Sequence, residues 1–220
     1  QRPFVYGTPS DDRLVGLTGN LDGFDPAETS VYGFWGNDIL TGIPREYSKV
    51  IPAKDANSSQ TVVLDTNKVY LYGNQGNDVF QVGYTDPLTG MHYIPCSRLP
   101  YGDLNSYPLW IMDFEDPVRG AANTDSLSLK FWPTGQYTWN YIDLNLQGTP
   151  VLGLFVSDGE RSWPSAAIMN MTSSDLLRLW GSNASYSSDG AEMTISTPHP
   201  WNYPSSYEAW WDYDSQFYSS

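Results

Sequence analysis

The sequence has little cysteine and few basic residues, and both shortages narrow the possible functions. Cys96 is the only cysteine among 220 residues, so no disulfide can form within the chain. There are 11 Lys and Arg residues against 25 Asp and Glu residues, which gives a net charge of −14. Because nucleic-acid phosphates are bound mainly by Lys and Arg, we expect no nucleic-acid partner. A chain this acidic repels itself, and bound cations would relieve that repulsion.

Long apolar runs are also missing from the sequence. No run approaches the roughly 20 residues that a membrane-spanning helix needs, so we expect no membrane span. The chain begins at Gln1 rather than Met, as it would after removal of a leader, although a sequence shortened at its start would look the same. Lysine is scarce, whereas Asn, Ser, Thr, Gly and Tyr are abundant. These features favour an extracellular or cell-surface location.

Motifs of the common hydrolases are absent. The only histidines are His92 and His199, and the sequence contains neither H-E-x-x-H nor G-x-S-x-G. Glu115 and Asp116 are adjacent, and on a strand they would point to opposite sides, which is a poor geometry for a glycosidase pair. We therefore predict that the protein is not an enzyme.

Three glycine-containing segments share one pattern. They read GTPSDDRLVG at 7–16, GFWGNDILTG at 33–42 and GNQGNDVFQ at 73–81. Each has turn-forming residues, then Asn or Asp, then Asp, then a short apolar strand, as in the nonapeptide G-G-x-G-x-D-x-U-x. Glycines allow the tight turn, and the Asp carboxylate joins backbone carbonyl oxygens around a hard cation. The pattern predicts that Ca²⁺ binds as part of folding.

The organisation along the chain indicates one large domain and a tail. We expect a domain over 1–198, with insertions at about 43–67 and 84–108, where proline and polar residues interrupt the pattern. A degenerate repeat covers 16–25, on the side opposite the glycine turns. The remaining expected elements are strands at 69–72, 110–114, 125–129 and 166–171, a hairpin of 141–146 with 151–156, and a short helix at 173–180.

The C-terminal segment 199–220 is unusually aromatic and contains no Lys or Arg. So much aromatic surface is costly to leave in water, so the tail either packs on its own domain or docks on another subunit. Aromatic side chains dominate interface hot spots, which makes them candidates for assembly contacts. These candidates are Trp201, Tyr203, Tyr207, Trp210, Trp211, Phe217 and Tyr218.

Two further segments follow the repeats, IMDF at 111–114 and DSLSL at 125–129. With these motifs in this order, the chain resembles the calcium-binding repeats-in-toxin proteins over roughly residues 5–180. The resemblance implies an all-β fold with a parallel β-roll or β-helix-like core and glycine-rich calcium turns. Antiparallel strands and the aromatic C-terminal tail would extend this core.

The resemblance also implies a ligand set, because the sixth-position Asp of each repeat supplies the side-chain ligand in that family. The candidate metal-binding residues are Asp12, Asp38 and Asp78 with their carboxylates, Gly7, Gly33 and Gly73 with their carbonyls, and Asp11, Asp22 and Asp25 nearby. Since insertions separate the repeats, we expect about one to three ordered ions. The same residues would also suit Asx turns without metal. The acids after the repeats, Asp113, Glu115, Asp116 and Asp125, are weaker candidates.

Two functions from different classes fit these features. The first is a secreted calcium-binding structural protein that assembles with copies of itself into a filament, surface layer or matrix. The alternative is a calcium-dependent carbohydrate-binding or adhesion module for cell-surface glycans. Its possible aromatic platforms are Trp132, Trp139, Trp163 and Trp180, although each of them fits a core position better. Candidate N-glycosylation sites are Asn57, Asn183 and Asn170, the last expected in a strand.

Overall fold

The computed structural model describes residues 4–18, 28–44, 50–51, 60–64, 68–85, 92–130, 138–157, 161–186 and 192–196. Within these ranges the chain is mostly β-strand, with one α-helix, α1 (Ser173–Asn183), and two single-turn 3-10 helices at Leu104–Ser106 and Pro117–Arg119. The predicted all-β class is therefore confirmed.

The strands of the described residues are short in the first half of the chain and longer in the second. In chain order they are β1 (Phe4–Tyr6), β2 (Arg13–Thr18), β3 (Glu28–Tyr32), β4 (Ile39–Pro44), β5 (Val50–Ile51), β6 (Gln60–Leu64), β7 (Lys68–Tyr72), β8 (Val79–Val82), β9 (Tyr84–Thr85), β10 (His92–Cys96), β11 (Leu109–Ile111), β12 (Ser126–Lys130), β13 (Thr138–Leu146), β14 (Thr149–Ser157), β15 (Ser162–Met169), β16 (Ala184–Tyr186) and β17 (Glu192–Ser196).

Two mixed sheets contain most of these strands. In the described residues the first sheet has the order β1-β3-β7-β11-β15-β14-β13, and the second has the order β16-β17-β12-β8-β4-β2. The chain alternates between the sheets, so that β1, β3, β7 and β11 pair in parallel in one, while β2, β4, β8 and β12 pair in parallel in the other. Antiparallel strands extend each sheet beyond this parallel part.

The facing sides of the two sheets form the main hydrophobic core. Register-matched Val5, Val31, Leu71 and Ile111 line up across the first sheet and are at most 2 % exposed. Leu14, Leu40, Phe80 and Leu127 form the matching row across the second sheet. Burial of each such side chain contributes about 1.5–3 kcal/mol, so these rows hold the strands in register.

The outer side of the first sheet carries a row of stacked aromatic rings. Tyr6, Tyr32 and Tyr72 occupy the same register position on adjacent strands. Their ring centroids are 5.8 Å apart between Tyr6 and Tyr32 and 4.8 Å apart between Tyr32 and Tyr72. Each such pair contributes about 0.5–1.5 kcal/mol beyond its buried area. The rings face one another, so part of the high aromatic content stabilises the sheet.

The stretches expected as insertions contribute to a small separate sheet. Its order is β5-β6-β10-β9 in the described residues, and β6 pairs in parallel with β10. Ile94 and Cys96 on β10 pack with Val156 and Trp163 of the first sheet. Cys96 is fully buried, and burial raises the pKa of its thiol. This residue therefore behaves as a small apolar side chain in the core.

Helix α1 packs against β17, β13 and β16 and contributes to the main core. Leu176 and Leu179 are buried and belong to the main hydrophobic cluster. The helix has 11 residues, and the described part of the chain contains no helix of the length and apolarity needed to cross a membrane. The expected helix at 173–180 is therefore present and continues for three more residues.

Candidate metal centre

Three short turns stack at one edge of the two sheets. They comprise residues 7–12, 33–38 and 73–78, and together they are called the turn stack below. Backbone hydrogen bonds join them at both ends: the Gly7 and Gly33 amides donate to the carbonyls of Tyr32 and Tyr72 at 2.7 and 2.8 Å. The Ile39 amide likewise donates to the Asp12 carbonyl at 2.9 Å. The repeated motifs therefore lie directly beside one another.

The sixth-position aspartates form a ladder of hydrogen bonds through the turn stack. The Asp12 amide donates to Asp38 Oδ1 at 2.7 Å, and the Asp38 amide donates to Asp78 Oδ1 at 2.9 Å. The Asp78 amide continues the ladder to Asp125 Oδ1 at 2.9 Å. Asp38, Asp78 and Asp125 are 0 % exposed. One oxygen of each of these carboxylates thus has a defined structural role.

The fifth-position residues form a second ladder that runs in the opposite direction. The Asn37 amide donates to Asp11 Oδ1 at 2.7 Å, and the Asn77 amide donates to Asn37 Oδ1 at 2.8 Å. The Thr124 amide then donates to Asn77 Oδ1 at 2.8 Å. Asp11 is exposed and takes part in this ladder through its carboxylate. Short Asx side chains suit this role because they reach the backbone of the next turn.

Glycine is required where the turns approach most closely. Gly36 and Gly76 have φ of 96° and 119°, and a Cβ on Gly76 would collide with the Gly36 carbonyl oxygen. Phe34 and Asn74 also have positive φ, at 66° and 63°. These two residues occupy the second glycine position of the motif, so the backbone keeps the conformation although the glycine is missing.

The second carboxylate oxygens of Asp38 and Asp78 differ from the first. Both Oδ2 atoms are buried and have no hydrogen-bond partner. A Cβ added to Gly33 would lie 2.5 Å from Asp38 Oδ2 and 2.7 Å from the Gly73 carbonyl oxygen, so these two oxygens flank the same point. Asp78 Oδ2 likewise lies against Gly73, but there the three nearest atoms all belong to Asp78 and no carbonyl oxygen is among them. A carboxylate oxygen without a hydrogen-bond donor therefore lies beside a backbone carbonyl oxygen inside the turn stack.

Burial dominates the electrostatics of these carboxylates. It raises the pKa of Asp38 to about 8. The hydrogen bond from the Asp12 amide opposes this rise, whereas the negative charges of Asp12 and Asp11 add to it. Burial also raises the pKa of Asp78 to about 10, with the Asp125 charge as the next cause. In the absence of a cation, the interior of the turn stack therefore disfavours ionised carboxylates.

A longer fourth turn, residues 112–125, completes the stack with different residues. Asp113 accepts hydrogen bonds from the Gly73 and Asn74 amides, both at 2.8 Å. Asp125 Oδ2 accepts from the Glu115 amide at 2.8 Å, while its Oδ1 receives the Asp78 amide. Burial raises the pKa of both Asp113 and Asp125. The acids that follow the repeats therefore position the third turn as well as their own.

An ion-pair network joins the fourth turn to α1, and sequence reasoning missed it. Arg178 on the helix contacts Asp116, which is 4 % exposed. Arg119 lies 3.4 Å from Asp175 and also donates to the Asn170 carbonyl. Arg178 and Asp116 are 62 positions apart in the sequence, so no local pattern could have paired them.

The remaining predicted residues have varied placements. Asp22, Asp25, Asn57, Trp132 and the tail 199–220 lie outside the described residues. Asn183 is the last residue of α1. The expectation that Asn170 lies in a strand is wrong: it lies in an exposed turn after β15 with φ of 56°, because the strand ends at Met169. Trp163 is 5 % exposed, and Trp139 and Trp180 pack against the hydrophobic clusters.

Clusters of three or more His, Cys, Asp or Glu side chains able to hold a metal are absent from the described ranges. A turn site built from one carboxylate and several backbone carbonyls is not of that type, because calcium accepts both kinds of oxygen.

The chain matches no protein-family model, no curated protein and no solved structure. The repeats-in-toxin resemblance therefore stays a prediction carried by the motifs.

Proposed function

We propose that the protein is a secreted calcium-binding β-roll protein whose Ca²⁺ ions lie within the turn stack and stabilise the fold. The observation that carries this proposal is the pair of buried, unpartnered oxygens, Asp38 Oδ2 and Asp78 Oδ2. The Asp38 atom lies beside the carbonyl oxygen of Gly73 from the next turn. Asp38 and Asp78, with the glycine carbonyls, would hold the ions.

The oxygen-only character of this region selects the cation. Calcium takes six to eight oxygen ligands and tolerates irregular geometry, whereas zinc prefers nitrogen and sulfur ligands. Cys96 lies in another cluster, with Ile94, Val156 and Trp163. An ionised carboxylate buried without a partner costs several kcal/mol, and a bound divalent cation would remove that cost. Calcium is therefore the cation that these atoms suit best.

A metal-free explanation competes with this proposal, and one substitution separates them. The Asp ladder uses only Oδ1, so Asp38 could instead keep a proton on Oδ2. Asp38→Asn preserves an oxygen for the ladder and replaces Oδ2 with an uncharged amide nitrogen. If calcium binds here, Asp38→Asn removes most of the calcium-dependent rise in melting temperature. If Oδ2 is only protonated, this variant melts near the wild type, with or without calcium.

Asp11→Asn is the matched control for this experiment. Asp11 is exposed and also supplies Oδ1 to a ladder, so the change keeps the hydrogen bond and removes one charge. The calcium response should survive in Asp11→Asn. Isothermal titration calorimetry with CaCl₂ on both variants measures the number of sites directly. An equal loss of binding in both variants would contradict a site at Asp38.

We further propose that this calcium-bound protein is a structural subunit that assembles with copies of itself outside the cell. In the described residues, the edge strands β1 and β2 lie at the same end of the two sheets, and edge strands with unpaired backbone groups are natural contact surfaces. Electron microscopy of the calcium-loaded full chain should show regular polymers. A monodisperse monomer at high concentration would contradict assembly.

Carbohydrate binding remains the second candidate, with weaker support. Trp139, Trp163 and Trp180 pack against the core, so their faces are largely used within the protein. Among the aromatic side chains that the structure describes, Trp35 in the second turn is the most exposed, at 55 %, and is the best placed for an external ligand. Titration against a panel of neutral glycans, with Trp35→Ala as the comparison, tests this alternative.

A further inference from the structure

A cleft of about 640 Å³ opens on the outer side of the first sheet. Tyr70 on β7 and Trp110 on β11 are register partners in its floor. They alternate with the core residues Leu71 and Ile111, so they lie on the side of the sheet away from the core. The other apolar side chains of the lining are Leu104, Met112, Leu144, Leu146 and Met169. The cleft therefore has the volume of a small-molecule site and an apolar floor.

Polar groups of both kinds surround this apolar floor. The exposed side chains of Asp103, Asn105 and Asn145 belong to the lining, and each has hydrogen-bonding atoms to spare. Asp103 Oδ1 accepts from the Asn105 backbone amide, and Asn145 Oδ1 accepts from the Gly148 amide. Within the described part of the chain, Asp103 Oδ2, the Asn105 side-chain amide and the Asn145 amide nitrogen have no partner. The rim therefore offers both donors and acceptors to an occupant.

The charges of the lining balance one another. Among the lining residues that the structure describes, Lys68 is the only cation and Asp103 is the only anion. The Lys68 ammonium group donates to the carbonyls of Asn105 and Tyr107 at 2.7 and 3.1 Å, which leaves it one further donor. Burial lowers the pKa of Lys68, and the charges of Glu28 and Asp103 oppose that shift, so both acids already act on one cation. The net charge of −14 also repels anions, so a neutral occupant fits best.

We propose that this cleft binds a neutral oligosaccharide. The hydroxyl groups of a sugar both donate and accept hydrogen bonds, so they match the mixed rim of Asp103, Asn105 and Asn145. The C–H groups of the sugar rings match the apolar floor. A wholly apolar occupant fits less well, because it would cover rim groups without giving them hydrogen bonds. This inference rests on carbohydrate binding, the second candidate function, and places the sugar in the cleft rather than at Trp35.

The strands beneath the cleft disfavour a peptide as its occupant. The floor is formed by β7, β11 and β15, and each of these strands has a hydrogen-bonded neighbour on both sides. A peptide that adds a strand to a sheet needs an unpaired edge. Because the floor provides no such edge, a peptide would gain no main-chain pairing with the sheet there. A sugar needs no such pairing, since its hydroxyl groups can bind the side chains of the rim.

Methionine methyl NMR of the full chain in calcium tests the proposal. Met112 and Met169 line the cleft, whereas Met171 is buried in the main core and serves as an internal reference. The probes are maltohexaose, cellohexaose and N-acetylated chitohexaose, which are neutral and are titrated separately. At least one of them should shift the Met112 and Met169 signals saturably and the Met171 signal far less. Absence of any shift with all three probes at millimolar concentration would overturn the proposal.

Two substitutions at exposed positions of the cleft sharpen this test. Asn105→Ala removes a rim amide, and Leu146→Ala removes part of the apolar wall at a side chain that is 37 % exposed. Each should weaken binding of the active oligosaccharide about fivefold while leaving the melting temperature close to that of the wild type. Leu177→Ala is the matched control, because Leu177 is 51 % exposed on α1 and does not line the cleft. Unchanged affinity in both cleft variants would overturn the proposal.

Two further results would overturn this inference alone. If calorimetry detects oligosaccharide binding that Trp35→Ala abolishes, and the cleft methyl signals do not move, the sugar binds at the second turn and the second candidate function stands. If a synthetic peptide of residues 199–207, HPWNYPSSY, moves the cleft signals and no oligosaccharide does, the cleft is a peptide site. Calcium titration and electron microscopy of polymers are separate measurements, so the calcium and assembly proposals can stand or fall independently of the cleft.

Discussion

The first and second turns of the stack both have an aspartate at the sixth position of the motif, but its carboxylate has different partners in the two turns. In the first turn, Asp12 Oδ2 accepts the Thr8 amide at 2.6 Å and the Thr8 hydroxyl at 2.9 Å. In the second turn, Asp38 Oδ2 has no partner and lies next to a carbonyl oxygen. The position is identical in the motif, yet the first carboxylate is satisfied by protein donors. We therefore rank Asp38 and Asp78 above Asp12 as ligands in the calcium site that we propose.

The largest effect on stability should come from calcium removal, because it affects every turn in which the sixth-position Asp Oδ2 lacks a hydrogen-bond donor. A ligand that binds only the folded state stabilises it by about 4 kcal/mol when its free concentration is about 1,000 times the Kd. We expect a chelator to lower the melting temperature markedly, and added calcium to restore it. Calorimetric melts of the full chain measure this shift. An unchanged melting temperature would show that the turns whose Asp Oδ2 lacks a donor do not bind calcium, and the difference between them and the first turn would then have no functional meaning.

The next effect concerns pH in the absence of calcium. The pKa of Asp38 is raised to about 8 in the folded state from 3.8. Its contribution to stability is complete below pH 3.8 and is lost as the pH rises towards 8, with a slope of up to about 1.4 kcal/mol per pH unit. Urea unfolding at several pH values should therefore show falling stability between pH 5 and pH 8 in chelator.

Saturating calcium should reverse this trend, because protons and calcium compete for the same oxygens. The calcium-dependent gain in stability is therefore expected to grow from pH 5 to pH 8. Asp38→Asn serves as the control and should make the fall of stability with pH less steep in chelator, while Asp78 maintains the remaining slope. A wild-type profile that rises with pH without calcium would contradict the buried, unpaired state of Asp38.

Paired substitutions at Asp12 and Asp38 compare the two turns directly. In saturating calcium, Asp38→Asn should lose about 2 kcal/mol of unfolding free energy, because one ligand disappears. Asp12→Asn should lose less than about 1 kcal/mol, since its amide oxygen still accepts from Thr8. Denaturant unfolding with matched calcium concentrations measures both. Equal losses would show that the turns do not differ.

The smallest effect tests what closes the first turn. Thr8→Val keeps the shape of the side chain but removes the hydroxyl that donates a hydrogen bond to Asp12. It should lower the free energy of unfolding by about 1 kcal/mol. Thr8→Ser keeps the hydroxyl and should restore most of that loss. The same measurement in calcium adds a second comparison, because Thr8→Val removes one of the two Thr8 donors to Asp12 Oδ2 and leaves the backbone amide. A gain of calcium affinity in Thr8→Val would show that donors alone separate the turns.

Local patterns predicted the elements whose evidence lies in adjacent residues. Val69 and Leu71 alternate with Tyr70 and Tyr72, and this period of two appears in β7 as buried and half-buried positions. The hairpin around residues 147–148 and the helix that begins at Ser173 were likewise readable from turn residues and periodicity. Asn170 was misplaced because an apolar run does not reveal the exact residue at which a strand ends.

The repeated motif by itself determined the all-β class, the sixth-position aspartates and their location in tight turns, because each depends on neighbouring residues. Only the tertiary structure decided which carboxylate oxygens lack donors, since that depends on turns 26 and 40 positions apart. It also decided that Asp125 extends the ladder and that Arg178 pairs with Asp116. Burial and long-range proximity create these differences, and neither property belongs to a residue before the chain folds.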